Sequence, residues 1–486
     1  MRQSELDSPG AAPDAAGASG WQERVALPPQ PKSVRDTGLD LSMLVELVSK
    51  VIFLAGKSHL SMLAARLRLP VNVLHEVLVF MLAEQMAEVA RRGDADIDVA
   101  YQLTTLGRQR AGEALARNRY LGPAPVTLAA YRDMVLRQSL RRRPAIGAAD
   151  IAAAFADISV PVGVRKLIGA AMYAGRSLLL YGPPGSGKST LARRLGRLLQ
   201  DVVALPHAVA VGEHIIEVYD PLQHLAPNPA QAAQLLPRHG EERRSVDARW
   251  LLCQRPVLQL GAELSAPMLA LRLDAASGYY QAPAHFKANN GMLIIDDLGR
   301  QRVAAFDLLN RWIGPLDQGE DSLSLEGGQQ FSVPFDTLMV FVTSADPASL
   351  FDPAFLRRLG YRVALGALGE LEYRTLFRQQ CLAARLVYDE AVLRHLIEQL
   401  HRPSARPLLA CYPRELIGRI LDFAGFAGEE PRLTLAALEH AWHSLFAGEG
   451  APAGTAPPEA PAAPVCEAGQ ARAAGCHAPF AAEVIV

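Results

Sequence analysis

Residues 177–199 read SLLLYGPPGSGKSTLARRLGRLL, an apolar run that passes into a glycine-rich loop and then into a helical pattern. The loop is Gly182, Pro183, Pro184, Gly185, Ser186, Gly187, Lys188, Ser189 and Thr190. Backbone N–H groups reach phosphate oxygens only where no Cβ intervenes, so glycines at 182, 185 and 187 suit a polyphosphate cradle. Lys188 supplies a point charge to the β/γ-phosphates and Ser189 a hydroxyl for Mg²⁺. The helix that follows, with Leu191, Leu195, Leu198 and Leu199 on one face, offers its positive N-terminus to the same anion. The pattern predicts a nucleoside triphosphate with Mg²⁺, bound by these nine loop residues.

The chain has 486 residues, half of them hydrophobic, enough for two or three cores. Its 49 basic and 50 acidic side chains nearly cancel, so no overall field favours nucleic acid or an anionic membrane. Five cysteines, at 253, 381, 411, 466 and 476, show neither a CxxC pair nor zinc spacing and suit a reducing compartment. The N-terminus has no apolar leader segment, and no run of about 18 apolar residues occurs, so we expect a cytoplasmic protein without membrane contact.

Composition and periodicity divide the chain. Residues 1–38 and 449–486, dominated by Ala, Gly and Pro, read as disordered. Residues 39–120 carry three apolar-periodic helices (41–53, 58–67 and 70–84), then strands near 86–90 and 97–103 around a polar turn, which is winged-helix order. The third helix, PVNVLHEVLVFMLAE, contains Glu76 and Glu84 but no Lys or Arg, while Arg91, Arg92, Arg108 and Arg110 are interspersed with Asp94, Asp96 and Asp98. Phosphate contact needs cations, so we expect this unit to dock protein rather than DNA. Residues 121–160 read as a linker with a basic cluster at 137–143, RQSLRRR.

Residues 161–365 read as an α/β nucleotide-binding domain. Within it MLII, residues 292–295, is a buried parallel strand expected to pair beside the phosphate-loop strand, and it ends in Asp296 and Asp297. Asp296 is placed to hold the Mg²⁺ water shell and Asp297 to polarise the attacking water. A further strand, LMVFV at 338–342, leads to Thr343 and Ser344 at the carboxyl end, where open parallel sheets gather ligands. Then DPAFLRRLGYRV, residues 352–363, delivers Arg357 and Arg358 together, a permanent charge suited to a γ-phosphate or plain surface charge. Residues 366–448 hold four amphipathic helices, with Pro413 and Arg414 at the start of one of them.

The order of phosphate loop, Asp-Asp strand, polar strand end, paired arginines and helical PRE segment resembles the AAA+ ATPases, in the branch of MoxR-like and magnesium-chelatase-like proteins. The runs HFKANNGMLIIDDLGRQ, DLLNRWIGPLD and FVTSADPASLFDPAFLRRLGYRV are similar to a bacterial set with an N-terminal winged helix. Its label is predicted ATPase with chaperone activity, sometimes linked with Flp pilus assembly. The resemblance implies a P-loop AAA+ parallel sheet with helices on both faces, a C-terminal helical lid and a homohexameric ring acting on an unidentified protein client. It also implies Ser189 and Asp296 at the metal, Asp297 at the water, Ser344 as first sensor and Arg414 as second. Arg357 or Arg358 would enter a neighbour's site. Asp297 stands where glutamate is commoner and Ser344 where asparagine or threonine is expected, so hydrolysis is expected to be slow or partner-dependent. Residues 276–287, ASGYYQAPAHFK, lie where relatives place a client-contacting hairpin, which makes Tyr279 and Tyr280 either pore-facing aromatics or an ordinary pair with one ring buried in packing and the other exposed to solvent. A DNA-associated regulator and a nucleotide-gated switch without turnover are the rival functions.

Overall fold

The computed structural model describes residues 27–91, 99–142, 146–156, 160–235 and 245–447. Residues 178–180, 292–295 and 338–343 are apolar runs too short for helices and flanked by turn residues, and each forms a strand buried on both faces. They belong to a five-stranded, all-parallel sheet in the order Val257–Leu260, Met292–Ile295, Leu338–Thr343, Leu178–Tyr181, Tyr361–Ala364. Side chains alternate between its faces. Leu178, Leu180, Ile294 and Val340 pack under the helices Val162–Ala174 and Lys188–Gly196. Leu179, Ile295 and Phe341 pack against Trp312 and Phe355 on the other side.

One expectation about this sheet is corrected. The acidic strand Met292–Ile295 does not pair with the phosphate-loop strand, because Leu338–Thr343 lies between them and pairs with both. The acidic strand therefore stands one strand spacing further from the loop than its sequence suggests, about 4.8 Å.

Residues 27–38, expected within the disordered start, are ordered in part. Ser33 and Asp36 form a capping box on the short helix Val34–Thr37, and Pro29 bridges to Val246. Residues 1–26, the tail from 448 onward with Cys466 and Cys476, and the polar turn with Arg92, Asp94, Asp96 and Asp98 lie outside the described residues. In the N-terminal unit the helices Leu41–Ala55, Leu60–Leu67 and Val71–Ala83 pack against an antiparallel sheet. Its order is Lys57–His59, Ala100–Leu103, Ala87–Arg91, so the ribbon gains a strand that the sequence pattern did not indicate.

The linker expected at 121–160 is corrected more strongly. Val126–Thr127 is a strand and Leu128–Arg137 a helix whose Tyr131, Met134 and Val135 are buried in a second core. That core underlies a second five-stranded sheet, ordered Arg272–Asp274, Tyr279–Gln281, His214–Glu217, Ala208–Val211, Val126–Thr127. Polar groups stitch this segment to the base of the parallel sheet. Ser139 Oγ donates to Asp336 Oδ1 (2.7 Å), and Asn290 Nδ2 donates to Asp336 Oδ2 (2.7 Å) and Val135 O (2.9 Å). Arg255 is 4% exposed, and it donates to Asp201 Oδ1 (2.8 Å) and Gln138 O (2.9 Å) and also to Asn290 O. Within the basic cluster Arg137 pairs with Asp133, and Arg143 lies outside the described residues.

Tyr280 is 2% exposed and sits in the second core, its hydroxyl accepting from Glu326 N, while Tyr279 packs edge-on against Tyr120. Ordinary packing is therefore what the structure shows for this pair, inside a paired strand rather than on a free hairpin tip.

The C-terminal helices Glu370–Ala383, Glu390–His395, Tyr412–Ala427 and Leu435–Leu445 close a separate core around Tyr373, Phe377, Leu416 and Trp442. Arg255→Ala would remove a buried guanidinium that donates to Asp201 Oδ1 and to two carbonyls. Loss of one partner of a buried pair costs about 3–5 kcal/mol. We expect a loss of that order in denaturant titration of the full chain, with Arg374→Ala, on the surface, costing under about 1 kcal/mol.

Candidate nucleotide site

The phosphate loop leaves its strand at Gly182, whose φ of +138° and position leave no room for a side chain, since a Cβ there would lie 2.0 Å from Leu365 O. Leu365 N in turn donates to Tyr181 O (2.8 Å), so the loop's first turn is pressed against the end of the strand Tyr361–Ala364. Gly185 and Gly187 are also at positive φ, and Cys411 N donates to Gly185 O (3.0 Å), which ties the loop to the C-terminal helices. Lys188 is largely buried, with Nζ donating to Gly182 O (2.9 Å) and Pro183 O (2.7 Å). Burial lowers its pKa, and the nearby charges of Asp297 and Asp296 act in the opposite direction.

Ser189, in the first turn of the helix Lys188–Gly196, reaches over the intervening strand to donate to Asp296 Oδ1 (2.8 Å). Gln259 Nε2 donates to the other carboxylate oxygen, Asp296 Oδ2, at 2.7 Å. A hydroxyl beside a carboxylate is a small, hard oxygen set of the kind Mg²⁺ uses together with phosphate oxygens and water. Among the described residues no group of three or more His, Cys, Asp or Glu could hold a metal by itself. A metal at Ser189 and Asp296 therefore fits only as part of a metal–nucleotide complex.

A cleft of about 1020 Å³ opens over the loop. Its lining includes residues 184–191, Asp297, Ser344 and Arg414, which the sequence singled out, and brings them together. Gly182 and Pro183 form the loop's entry, and Asp296 is buried beneath it. Arg357 and Arg358 do not line the cleft. Arg358 is ion-paired with Asp317, whereas Arg357 is exposed and has no ion pair among the described residues. Thr343, the residue before Ser344, is fully buried with its hydroxyl donating to Leu298 O (2.8 Å), so only Ser344 of the two faces the cleft.

The sequence reading missed several lining residues. Arg300 and Arg419 add positive charge, Asp422 and Glu415 negative charge, and Val160, Val164, Leu376 and Phe423 add apolar lining. Arg300 was visible as the cation following the Asp-Asp strand. Gln259 carried a weaker signal, one amide in the otherwise apolar strand VLQL.

Residues 154–213 match the family model described as Magnesium chelatase, subunit ChlI. The match covers the phosphate loop with the strand before it and the helix after it. Residues 369–444, spanning the C-terminal helices, match a domain of unknown function, DUF8689. No curated protein matches the chain.

Among solved structures, NtrX from Brucella abortus in complex with ATP is 15% identical, with 58% of this chain and 55% of that one covered and a TM-score of 0.35. The Thermotoga maritima RuvB Holliday junction branch migration motor is also 15% identical, covering 58% and 68%, at a TM-score of 0.33. The chain thus spans about half the length of the NtrX structure it matches. Among the described residues no helix is long and apolar enough to cross a membrane.

Gly182→Ala tests the geometry of this loop. The added methyl cannot avoid Leu365 O without moving either the loop or the strand end. We expect at least a tenfold weaker affinity for a fluorescent ATP analogue, read by equilibrium titration, with far-UV circular dichroism unchanged.

Proposed function

We propose that this chain is a Mg²⁺-dependent ATPase that works as a homo-oligomer and uses hydrolysis to remodel a partner protein. The observation that carries the reading is the Ser189–Asp296 hydrogen bond at 2.8 Å on the floor of a cleft also lined by Asp297, Ser344 and Arg414. In this reading Lys188 exchanges its carbonyl partners for β/γ-phosphate oxygens, a charge-assisted contact that supports binding. Ser189 and Asp296 would hold the magnesium, whose chemistry when bound is to neutralise charge on the β- and γ-phosphates. Asp297 accepts a proton from the attacking water, Ser344 orients that water, and Arg414 draws the C-terminal helices toward the phosphates as a lid. These contributions are positioning and electrostatic, as phosphoryl transfer requires.

Oligomerisation is proposed on the basis of the arginine pair. Arg357 is exposed, unpaired with any described acid and outside its own chain's cleft, which suits a finger that completes a neighbouring subunit's site. Arg358, tied to Asp317, is better suited to holding the helix Pro353–Arg358 in place.

A protein client is favoured over DNA by the N-terminal unit. The helix Val71–Ala83 exposes Val71, Val79 and Phe80 and bears no Lys or Arg. Of the nearby cations, Arg108 donates to Leu103 O (2.9 Å) and Arg110 to Met86 Sδ (3.3 Å), so both are engaged within the unit.

Phosphate release from Mg²⁺-ATP tests the reading. Turnover is expected to vanish in Lys188→Ala through lost binding. In Asp297→Asn it should fall by about 100-fold or more, the scale of a lost general base, with nucleotide affinity preserved. Arg357→Ala should lower turnover and be rescued in part by mixing with Lys188→Ala subunits, which contribute an intact arginine to the neighbouring site. Tight ATP binding without phosphate release in the wild type would instead establish a switch.

A further inference from the structure

Asp297 has a φ of +50°, in the left-handed region, which aspartate and asparagine tolerate better than most residues. A short polar side chain is therefore what this backbone accepts, which supplies a physical reason for aspartate at a position where the wider pattern has glutamate. Such a conformation persists only when its surroundings hold it.

The chain on either side is held firmly. Asp296 N donates to Leu260 O (2.8 Å) and Leu298 N to Val342 O (2.7 Å), which sews this turn to the strand on each side. Arg300 N closes the turn on Asp297 O at 3.0 Å. Into that turn reaches one side-chain amide. Gln301 Nε2 donates to Asp296 O (2.9 Å), with longer contacts to Asp297 O (3.2 Å) and Gly261 O (3.4 Å), and Gln301 Oε1 accepts from Gly299 N (2.9 Å). Gln301 itself does not line the cleft, but the two charged residues of the turn it grips, Asp297 and Arg300, both do.

We infer that Gln301 is a positioning residue: its amide clamps the left-handed turn that presents the Asp297 carboxylate to the cleft. This rests on the hydrolytic reading of the cleft proposed above. An amide suits the role because it donates to carbonyls and accepts from an N–H at once, which neither a carboxylate nor an ammonium does. The clamp acts on the step rather than on binding, since it grips backbone carbonyls, while the Asp296 carboxylate is held separately by Ser189 and Gln259 and the phosphate loop leaves a different strand end.

The test uses the full-length chain and Mg²⁺-ATP. Gln301→Glu keeps the shape but replaces the donor by a charge that repels the carbonyls, and Gln301→Leu removes both polar functions without adding charge. Each is expected to lower kcat at least tenfold while KM, and the dissociation constant for Mg²⁺-ADP, stay within twofold. Because Gln301 acts through Asp297, adding either change to Asp297→Asn should slow turnover by less than twofold further. Wild-type kcat in both variants, a parallel loss of nucleotide affinity, or full additivity with Asp297→Asn would each overturn the inference. If the wild type releases no phosphate, the hydrolytic reading fails separately, and the clamp is then decided by amide hydrogen exchange at Gly299 and Arg300. Faster exchange in Gln301→Leu, which removes the acceptor for Gly299 N–H and the donor to the turn's carbonyls, upholds it, and unchanged protection overturns it.

Discussion

The hydroxyl of Ser189 and the carboxylate of Asp296 meet at 2.8 Å although their strands are not neighbours. That meeting depends on every strand of the sheet running the same way, so that the phosphate loop, the Asp-Asp turn and Ser344 all leave from one edge. The central strands have no polar face to offer water, and helices therefore cover both sides. The exposed carboxyl edge is then the place where unsatisfied backbone donors and charged side chains can accumulate at low cost. Gly182 tightens this further, because its contact with Leu365 O carries the loop onto the last strand, and that strand follows directly from the arginine pair.

The opposite edge of the sheet is held by polar chemistry. Asp336, Asn290, Ser139 and Arg255 are nearly inaccessible and partnered, and they join a segment preceding the phosphate loop by about 40 residues to the starts of the acidic and polar strands. Buried polar groups of this kind are costly unless every member is satisfied. The N-terminal unit is held by a similar device. Arg249, itself paired with Asp247, donates to Thr37 O and Pro125 O, both at 3.1 Å. Ala208 and Ile215 of the second sheet belong to the same core as the N-terminal helices. The N-terminal unit is therefore packed on the second sheet through a continuous core.

Much of the cleft was legible because its chemistry is local. The loop residues, Asp296, Asp297, Ser344 and Arg414 stand beside strand ends or a helix start that hydrophobic runs of four to six residues announce. Gln301 was not legible, since its amide is one of many in the chain and only the turn's left-handed backbone shows what it holds. Tyr279 and Tyr280 were ambiguous for the opposite reason. Two adjacent aromatics fit a hairpin tip and a buried strand equally well, and the pairing of Tyr280 with Ile216 decides for the strand. The linker expected at 121–160 failed because a helix of ten residues, partly polar, gives a weak periodic signal whose apolar face has meaning only against its partner core.

By itself the sequence determined the phosphate loop, the identity of the strands that flank the reaction edge and the charge available there, because these follow from spacing, from missing side chains and from alternation over a few residues. Tertiary structure decided the order of the strands, the burial of the connector, the separation of Arg357 from its own chain's cleft and the clamp on Asp297. Each of these depends on contacts between residues tens to hundreds of positions apart. No local pattern encodes them, since the energy that selects one pairing over another appears only when both partners are brought together.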